Sequence, residues 1–308
     1  MDEAIKTSIK RLTYKVRSFI KRILNHTKKK VGIKKINFPK YYRKARGLGV
    51  TIEKREIKLI VTLTSYPRRI KYVHRTINTL LNQSLKPDEI VLCLARNQFP
   101  NEEKNLPYNL KKLKKYGLTF LWYDDLKSYL KLVPGLKKFP KDIIITADDD
   151  IYYETKWLEK LYCSFLIEPK GIHCHRAHRI KFSSDGIILP YLEWENCYSI
   201  PSKSYLNFLT GVGGVLYPPN SLYEDVTRED LFMKLAPTSD DIWFWAMAVL
   251  NKTPIQIIRN GKSHLLEVDD TQDTCLYKDN WYKGWNDLHL KNVINHYPSL
   301  IELMKPLN

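Results

Sequence analysis

The sequence lacks long apolar runs, a signal-type N-terminus and paired cysteines, and each absence excludes a class of protein. Its strongest apolar stretch, residues 242–250, is far shorter than the roughly 20 residues that span a membrane. No apolar core of a secretory signal follows Met1. The five cysteines are an odd number without a CxxC pair, so a zinc ribbon is excluded and a reduced, cytosolic protein is expected.

Two glycine-rich phosphate-binding motifs are also absent. Neither GxGxxG nor GxxxxGK followed by Ser or Thr occurs in the chain. Dinucleotide-binding proteins of the Rossmann type and P-loop proteins depend on these motifs to bring the backbone close to phosphates. Both classes are therefore disfavoured.

The net charge of +18 is concentrated at the N-terminus. Residues 1–58 contain 19 Lys and Arg against 4 Asp and Glu, whereas residues 59–308 are nearly balanced, with 32 against 29. The basicity therefore belongs to an N-terminal segment and not to the body of the protein, and no nucleic-acid partner is expected. We divide the chain into a basic segment, 1–56, and a folded domain, 57–308.

Residues 5–23 have the pattern of an amphipathic helix. Such a helix, continued by basic residues up to position 35, is typical of a segment that lies on an anionic membrane surface. A helix that packs on its own protein, or that forms an oligomer through its apolar seam, is an alternative, as is nucleic-acid binding. The apolar stripe consists of Ile5, Ile9, Leu12, Val16, Phe19 and Ile23.

From residue 57 onwards, short β-branched runs alternate with helical patterns. This alternation predicts an α/β fold with a mostly parallel sheet flanked by helices, and ligands of such sheets gather at the carboxyl ends of the strands. The predicted strands are 58–64, 89–94, 118–123, 142–147 and 255–258; the predicted helices are 73–81, 106–116, 155–167 and a segment through Leu130 and Leu136.

Three aspartates, Asp148, Asp149 and Asp150, follow directly after the predicted strand 142–147. If the alternation of the strand continues, Asp148 and Asp150 point to one side and Asp149 to the other. Convergent carboxylates need a cation between them, and oxygen ligands suit Mg²⁺ or Mn²⁺ together with substrate phosphates. The sequence therefore predicts a metal and phosphate site here; a solvated acidic turn is the alternative.

A second acidic pair, Asp240 and Asp241, opens an apolar helix. Thr238 or Ser239 could cap this helix, and the helix dipole favours carboxylates in the first turn. Because the helix is apolar all round, we expect it to be buried, with its entrance near the interior. A carboxylate held there can act as a general base, and helix capping alone is the alternative.

Two further motifs allow a functional and a structural interpretation. Gly213 and Gly214 could let a ligand approach the backbone or could mark a bulge. The histidines at 173, 175 and 178 with Cys174 look like a zinc cluster, but strand alternation separates Cys174 from its neighbours. Arg176 and His178 more readily offer cations to a phosphate or an acceptor.

Taken in order, these motifs resemble those of a GT-A-type glycosyltransferase, akin to the family-2-like bacterial enzymes that build capsule, lipopolysaccharide and other surface polysaccharides. The resemblance covers about residues 58–260. It rests on the opening strand with residues 64–69, on 80–84, on the DxD-type 148–150, on 213–214 and on 239–241.

The resemblance implies a Rossmann-like GT-A fold. It divides the domain into a nucleotide-binding half, 57–150, an acceptor and catalytic half, 151–262, and a closing segment, 263–308. It also implies a peripheral protein on the cytoplasmic face of the bacterial inner membrane.

The resemblance implies substrates and roles as well. The donor would be a nucleotide-diphosphate sugar, with a UDP-sugar favoured, and the acceptor a hydroxyl of a glycan or of a lipid-linked molecule. Asp150 and Asp148 would ligate Mn²⁺ or Mg²⁺, with His264 completing the shell, and Asp241, or alternatively Asp240, would be the general base of an inverting reaction. The donor site would contain Thr64, Tyr66, Arg69, Asp125, Lys127, Asp148, Asp149, Gly213 and Gly214, and the acceptor site Arg176, His178 and Trp243.

Two other functions fit parts of the sequence. A nucleotidyltransferase would use the same metal and carboxylate site, but it would be expected to carry a glycine-rich phosphate loop, and residues 65–69 contain no glycine. A non-enzymatic protein that docks on a membrane or on RNA would explain the basic residues 1–58 and nothing beyond them.

Overall fold

The computed structural model describes residue 45 and residues 47–196, 200–259, 265–271 and 284–304. The predicted amphipathic helix, the basic residues up to position 35 and His264 lie outside the described residues. The membrane and oligomer contacts expected of the N-terminal segment therefore stay predictions. In the described part of the chain, no helix is both long and apolar enough to cross a membrane.

Strands and helices alternate through the first part of the domain, as the sequence pattern predicts. The strands are β1 (Leu59–Thr64), β2 (Glu89–Ala95), β3 (Leu118–Tyr123), β4 (Ile143–Thr146) and the short β5 (Ile151–Tyr152). The α-helices are α1 (Val73–Leu80), α2 (Tyr108–Lys111), α3 (Val133–Lys138) and α4 (Trp157–Ile167). Short 3₁₀ helices cover Arg96–Gln98, Glu102–Asn105, Lys112–Tyr116 and Lys127–Lys131.

The second part has shorter strands and longer loops. Its strands are β6 (Ile172–Cys174), β7 (Ala177–Arg179), β8 (Glu195–Asn196), β9 (Lys203–Ser204), β10 (Asn207–Leu209), β11 (Val215–Tyr217), β12 (Ile255–Ile257) and β13 (Leu266–Glu267). Its α-helices are α5 (Glu229–Leu235), α6 (Asp240–Leu250), α7 (Trp285–His296) and α8 (Ser299–Met304), with 3₁₀ turns at Tyr191–Glu193 and Glu224–Thr227.

In the described part of the chain, the main sheet has eight strands in the order β3-β2-β1-β4-β11-β6-β12-β9. The first four are parallel neighbours, β11 is antiparallel to both β4 and β6, and β12 is parallel to β6 and antiparallel to β9. Two small antiparallel sheets, β10-β7-β8 and β13-β5, lie beside it. The predicted α/β fold is confirmed, and because β4 pairs with β11, one sheet runs through residues 57–150 and 151–262 alike.

Helices cover both faces of the sheet and bury alternate residues of the central strands. Ile60 of β1 belongs to an apolar cluster with Trp243 of α6, whereas its neighbour Val61 belongs to a second cluster with Ile77 of α1 and Leu158 of α4. Burial of each such side chain contributes about 1.5–3 kcal/mol to stability. The two clusters hold the carboxyl ends of β1 and β4 in place.

Two predicted helices are shorter than the sequence pattern indicates. The segment 106–116 forms α2 and a 3₁₀ helix that stops at Gly117, with φ 108°. Its apolar residues Leu110 and Leu113 are spaced by three, which suits the 3₁₀ repeat. The segment through Leu130 and Leu136 is divided into a 3₁₀ helix and α3. Pro134 lies in the first turn of α3, which is the part of a helix that tolerates proline, so α3 begins here as a new helix.

Candidate functional site

The three aspartates after β4 lie in a turn and not on an extended strand, since β4 ends at Thr146 and β5 begins at Ile151. The predicted alternation, with Asp149 on the side opposite to Asp150, is therefore wrong. Arg69 Nη1 lies 2.8 Å from Asp149 Oδ1 and 2.9 Å from Asp150 Oδ2. The turn is thereby tied to the loop that follows β1.

Burial and charge act in opposite directions on the ionisation of this group. Burial raises the pKa of Asp149, and although Arg69 and a 2.6 Å hydrogen bond from the Ser65 hydroxyl oppose it, the pKa stays above its ordinary value. Burial alone would lower the pKa of Arg69, but Asp149 and Asp150 outweigh this effect and raise it. Arg69 is therefore a permanent cation at the end of the sheet.

Asp148 faces a different cation. Its Oδ1 lies 3.6 Å from Nζ of Lys131, and its side chain is 23% exposed. Its backbone N–H donates to the Tyr153 hydroxyl at 2.8 Å, which fixes the start of the turn. Lys131 is the last residue of the 3₁₀ helix Lys127–Lys131, and it is buried.

The first two residues of α6 reach the same ammonium group. Lys131 Nζ lies 2.9 Å from Asp240 Oδ2 and 3.7 Å from Asp241 Oδ1. The side chain of Asp240 is 10% exposed, whereas that of Asp241 is 30% exposed. The turn after β4 and the N-terminus of α6, which are about 90 residues apart in the sequence, thus meet at one lysine.

Asp241 combines an anchored oxygen with a raised pKa. The backbone N–H of Gly211 donates to Asp241 Oδ1 at 3.0 Å. Burial raises the pKa of Asp241 to about 7. Lys131 and the Gly211 N–H oppose this rise, whereas Asp240 and Asp148 add to it. A carboxylate with this pKa can take up a proton near neutral pH.

Among the described residues that form ion pairs at this end of the sheet, carboxylates outnumber cations. We term the group the aspartate cluster: Asp148, Asp149, Asp150, Asp240 and Asp241 with Arg69 and Lys131. Within the described residues, this cluster therefore contains five carboxylates and two cations. An excess of hard oxygen ligands fits a divalent cation such as Mg²⁺ or Mn²⁺.

A metal at the aspartate cluster would depend on the substrate for some of its ligands. Within the described residues, no group of three or more His, Cys, Asp or Glu side chains is arranged to hold a metal ion. Mg²⁺ commonly binds through one or two carboxylates with substrate phosphates and water supplying the rest. His264, the predicted third ligand, lies outside the described residues.

Ser239 stands at the N-cap position of α6, but its side chain makes no capping bond to the helix. Its hydroxyl donates to Asn286 Oδ1 at 3.0 Å and lies 2.9 Å from His289 Nδ1. Both partners belong to α7, so the C-terminal helix competes for the hydroxyl and braces the entrance of α6. The predicted cap through Ser239 is wrong for this reason.

The predicted donor residues after β1 lie at the strand ends beside the aspartate cluster. Thr64 Oγ1 donates to the carbonyl of Cys93 at 2.9 Å, which links β1 to β2. The Arg69 guanidinium carbon lies 5.7 Å from the centre of the Tyr66 ring. These residues lie in one loop; their contact with a nucleotide stays a prediction.

The predicted donor residues after β3 form a turn of their own. Asp125 Oδ1 accepts the backbone N–H of Lys127 at 2.9 Å, and Oδ2 accepts a hydrogen bond from Gln98 at 2.8 Å. Lys127 is exposed and has φ 54°, an unusual value for a lysine. The turn leads directly into the 3₁₀ helix that carries Lys131.

Gly213 and Gly214 are approached closely by a side chain of the protein itself. They have φ values of 105° and 97°, and a Cβ on Gly214 would lie 2.4 Å from the ring of Trp157. Trp157 Nε1 also donates to the carbonyl of Gly213 at 2.6 Å. Packing against Trp157 therefore accounts for Gly214, and the predicted contact with a donor stays a prediction.

Among the predicted acceptor residues, Trp243 is wrong. Its side chain is fully buried in the core, and its Nε1 donates to the carbonyl of Val226 at 3.1 Å, because α6 is apolar on all sides. His178 is 5% exposed on β7 with its ring against Tyr191, which leaves little of it for an acceptor. Arg176 is half-buried, and its role stays a prediction.

The histidines near Cys174 are used in the structure of the protein. His173 lies 2.9 Å from both the Ser164 hydroxyl and the carbonyl of Glu168, and His175 Nε2 lies 3.1 Å from the carbonyl of Trp157. These contacts agree with the interpretation that disfavours a zinc site.

Lys131 is the residue of the site that sequence reasoning missed. A signal was present: Lys131 is the one charged residue in the otherwise apolar or uncharged stretch 128–136. A lysine in such a segment is buried only where carboxylates compensate its charge. Which carboxylates do so depends on the tertiary structure.

No family model matches the chain, and no curated protein sequence matches it. Among solved structures it is similar to S. aureus TarS 1–349, with 14% sequence identity, a TM-score of 0.47 and coverage of 80% of this chain and 70% of that chain. It is also similar to CMP:2-keto-3-deoxy-manno-octonic acid synthetase complexed with CTP, with 11% identity, a TM-score of 0.36 and coverage of 65% and 87%. Both TM-scores are below 0.5, so neither similarity supports a function.

Proposed function

We propose that the protein is a glycosyltransferase that moves a sugar from a nucleoside diphosphate sugar to a hydroxyl acceptor. The observation that carries this proposal is the meeting of two acidic groups, the turn after β4 and the N-terminus of α6, at Lys131, which lies 2.9 Å from Asp240. Sugar transfer needs a diphosphate and an acceptor hydroxyl side by side. The aspartate cluster offers one acidic group for each.

The turn after β4 is suited to the donor. Asp148 and Asp150 would hold Mn²⁺ or Mg²⁺, which, when bound, stabilises the negative charge that leaves with the diphosphate. Arg69 holds Asp149 and Asp150 together at 2.8 and 2.9 Å and keeps a positive charge at the same strand ends. The resemblance in sequence favours a UDP-sugar.

The N-terminus of α6 is suited to the acceptor. Asp241 is 30% exposed and has a pKa of about 7, so it can remove a proton at neutral pH. The acceptor oxygen would bond to the anomeric carbon as Asp241 takes its proton, while the bond from that carbon to the diphosphate breaks and the diphosphate leaves with the electron pair. Asp240 is less accessible and is engaged by Lys131, so Asp241 is the preferred base of an inverting transfer.

The acceptor that we propose is a glycan or a lipid-linked molecule of bacterial surface polysaccharide synthesis. This part rests on the sequence resemblance and on the basic segment, residues 5–35, which would hold the protein at an anionic membrane.

Thermal unfolding tests the donor site. UDP, GDP, CMP and ADP are each added with Mn²⁺, Mg²⁺ or EDTA, and a nucleotide at a hundred times its dissociation constant adds about 2.7 kcal/mol to the free energy of unfolding. We expect a metal-dependent shift with one nucleotide diphosphate, lost in Asp150→Asn and kept in the control Asp185→Asn, which changes an exposed turn. No shift with any nucleotide would overturn the proposal.

Product analysis tests the reaction class. Release of a nucleoside diphosphate from a nucleotide sugar supports the glycosyltransferase. Release of pyrophosphate from a nucleoside triphosphate, without hydrolysis or transfer from any nucleotide sugar, would replace it with a nucleotidyltransferase.

A further inference from the structure

Lys131 is attached firmly to the sheet at its backbone and buried at its tip. Its carbonyl accepts a hydrogen bond from the hydroxyl of Thr62 in β1 at 2.5 Å. Its side chain is 10% exposed, and its neighbours Leu130 and Leu132 are core residues. A lysine held in this way presents its ammonium group at a defined point.

Three carboxylates surround that ammonium group. Nζ lies 2.9 Å from Asp240, 3.6 Å from Asp148 and 3.7 Å from Asp241. These ion pairs compensate the charge of the buried ammonium group.

Gly211 completes the arrangement. Its backbone N–H donates to the same oxygen of Asp241 that faces Lys131, at 3.0 Å. A Cβ at this position would lie 2.3 Å from Lys131 Nζ and 2.9 Å from Asp241 Oδ1. Its φ lies outside the left-handed region, so glycine is needed here for the close approach of the lysine and not for backbone conformation.

The two carboxylate oxygens of Asp241 differ in their contacts. Both Lys131 and Gly211 engage Oδ1, and within the described residues no hydrogen bond or ion pair engages Oδ2. The side chain as a whole is 30% exposed, and Oδ2 is the oxygen that these internal contacts leave available for a substrate hydroxyl.

We propose that Lys131 is a positioning residue: it fixes Asp241 against Gly211 so that Oδ2 faces the acceptor, and it connects this base to Asp148 of the donor site. This inference rests on the proposed function. Through Lys131, the distance between donor and base is set by ion pairs between two distant segments of the chain.

The test uses the hydrolysis of UDP-glucose, UDP-galactose and UDP-N-acetylglucosamine, where water serves as the acceptor, with release of UDP as the readout. Lys131→Met is expected to lower kcat by roughly 100-fold or more. The KM for the UDP-sugar and the thermal shift with UDP should change far less. Lys131→Arg, which keeps the charge, is expected to recover much of the lost kcat.

Gly211→Ala tests the same arrangement without removing a charge. Displacing Lys131 and Asp241 by the new methyl group is expected to lower kcat by about 10- to 100-fold. The matched control is Gly47→Ala, at a position where a Cβ would meet nothing within 4 Å. This variant decides the question if Lys131→Met does not fold, as judged by circular dichroism.

The outcomes separate the two proposals. If the wild-type protein shows no thermal shift with UDP, GDP, CMP or ADP and releases UDP from none of the three sugars, the proposed function fails. If the wild-type protein is active, but kcat is unchanged in a folded Lys131→Met or Gly211→Ala protein, or falls only in step with weaker donor binding, the role of Lys131 is overturned and the proposed function stands.

Discussion

Arg69 and Asp149 form a buried ion pair that joins the loop after β1 to the turn after β4, with 2.8 Å between Nη1 and Oδ1. The two side chains are 13% and 7% exposed, so water compensates little of either charge. Their neighbours Ser65 and Asp150 extend the pair into a network. The geometry of the acidic turn therefore depends on a residue about 80 positions earlier in the chain.

Replacing Arg69 should destabilise the protein strongly. Arg69→Met leaves Asp149 buried without its cation, and breaking a buried pair in this way typically lowers the free energy of unfolding by about 3–5 kcal/mol. Urea denaturation measures the loss. The matched control is Arg68→Met, because Arg68 is exposed and its substitution should change stability by less than about 0.5 kcal/mol. Equal effects of the two substitutions would contradict the buried-pair interpretation.

The activity should depend on pH through Asp241. Because burial raises its pKa to about 7, with Lys131 opposing the rise and Asp240 and Asp148 adding to it, the base form is lost as the pH falls below 7. We expect kcat to rise tenfold per pH unit below about 7 and to level off above it. Asp241→Asn should lower kcat by roughly 10²–10⁴-fold and remove this dependence. A profile that is flat from pH 5 to 8 in the wild-type protein would count against Asp241 as the base.

Gly214 should be far less tolerant of alanine than Gly186. Both have φ in the left-handed region, at 97° and 75°, which disfavours alanine by about 1–2 kcal/mol at either position. Only at Gly214 would the new Cβ meet the ring of Trp157, at 2.4 Å, whereas nothing lies within 4 Å at Gly186. The overpacking should add about 1–3 kcal/mol to the loss for Gly214→Ala. Chemical denaturation of the two variants measures the difference, and equal losses would refute the packing argument.

His173 should make the protein less stable in acid. Burial lowers its pKa to about 4, against an ordinary value of 6.5, so between these values the unfolded chain binds a proton that the folded protein does not. The sign follows: the stabilisation is complete above pH 6.5 and is lost as the pH falls towards 4, by up to about 3 kcal/mol.

The measurement for His173 compares urea denaturation at pH 7.5 and pH 5 in the wild-type protein and in His173→Gln, which cannot titrate in this range. The wild-type protein should lose more stability between the two pH values than the variant loses. An identical loss in both would show that His173 does not contribute.

Local patterns were sufficient to predict much of this protein. The strands at 58–64, 89–94 and 118–123 were predicted within one residue or two of β1, β2 and β3, because short β-branched runs between turns leave few alternatives. The apolar helix after Asp241 was predicted to be buried and is buried. The grouping of acidic residues at the ends of these elements followed from their order in the chain.

Predictions that depended on side-chain direction fared worse. Asp149 and Asp150 share Arg69 because the strand ends at Thr146, and Trp243 turns into the core because every side of α6 is covered. The end of a strand is not visible in a periodic pattern. The apolar character of α6 on all sides, by contrast, already indicated a buried Trp243, and its assignment to the acceptor site followed the resemblance and not the pattern.

By itself, the sequence determined the α/β alternation, the basic N-terminal segment and the identity of the acidic residues, since these depend on composition and on spacing along the chain. Only the tertiary structure decided that Asp148, Asp240 and Asp241 would meet at Lys131, with Gly211 leaving room for the ammonium group. The physical reason is that a buried ammonium group must be compensated by whichever carboxylates the packing of the sheet and α6 brings to it. That choice is made by contacts between segments distant in the sequence, which no local pattern records.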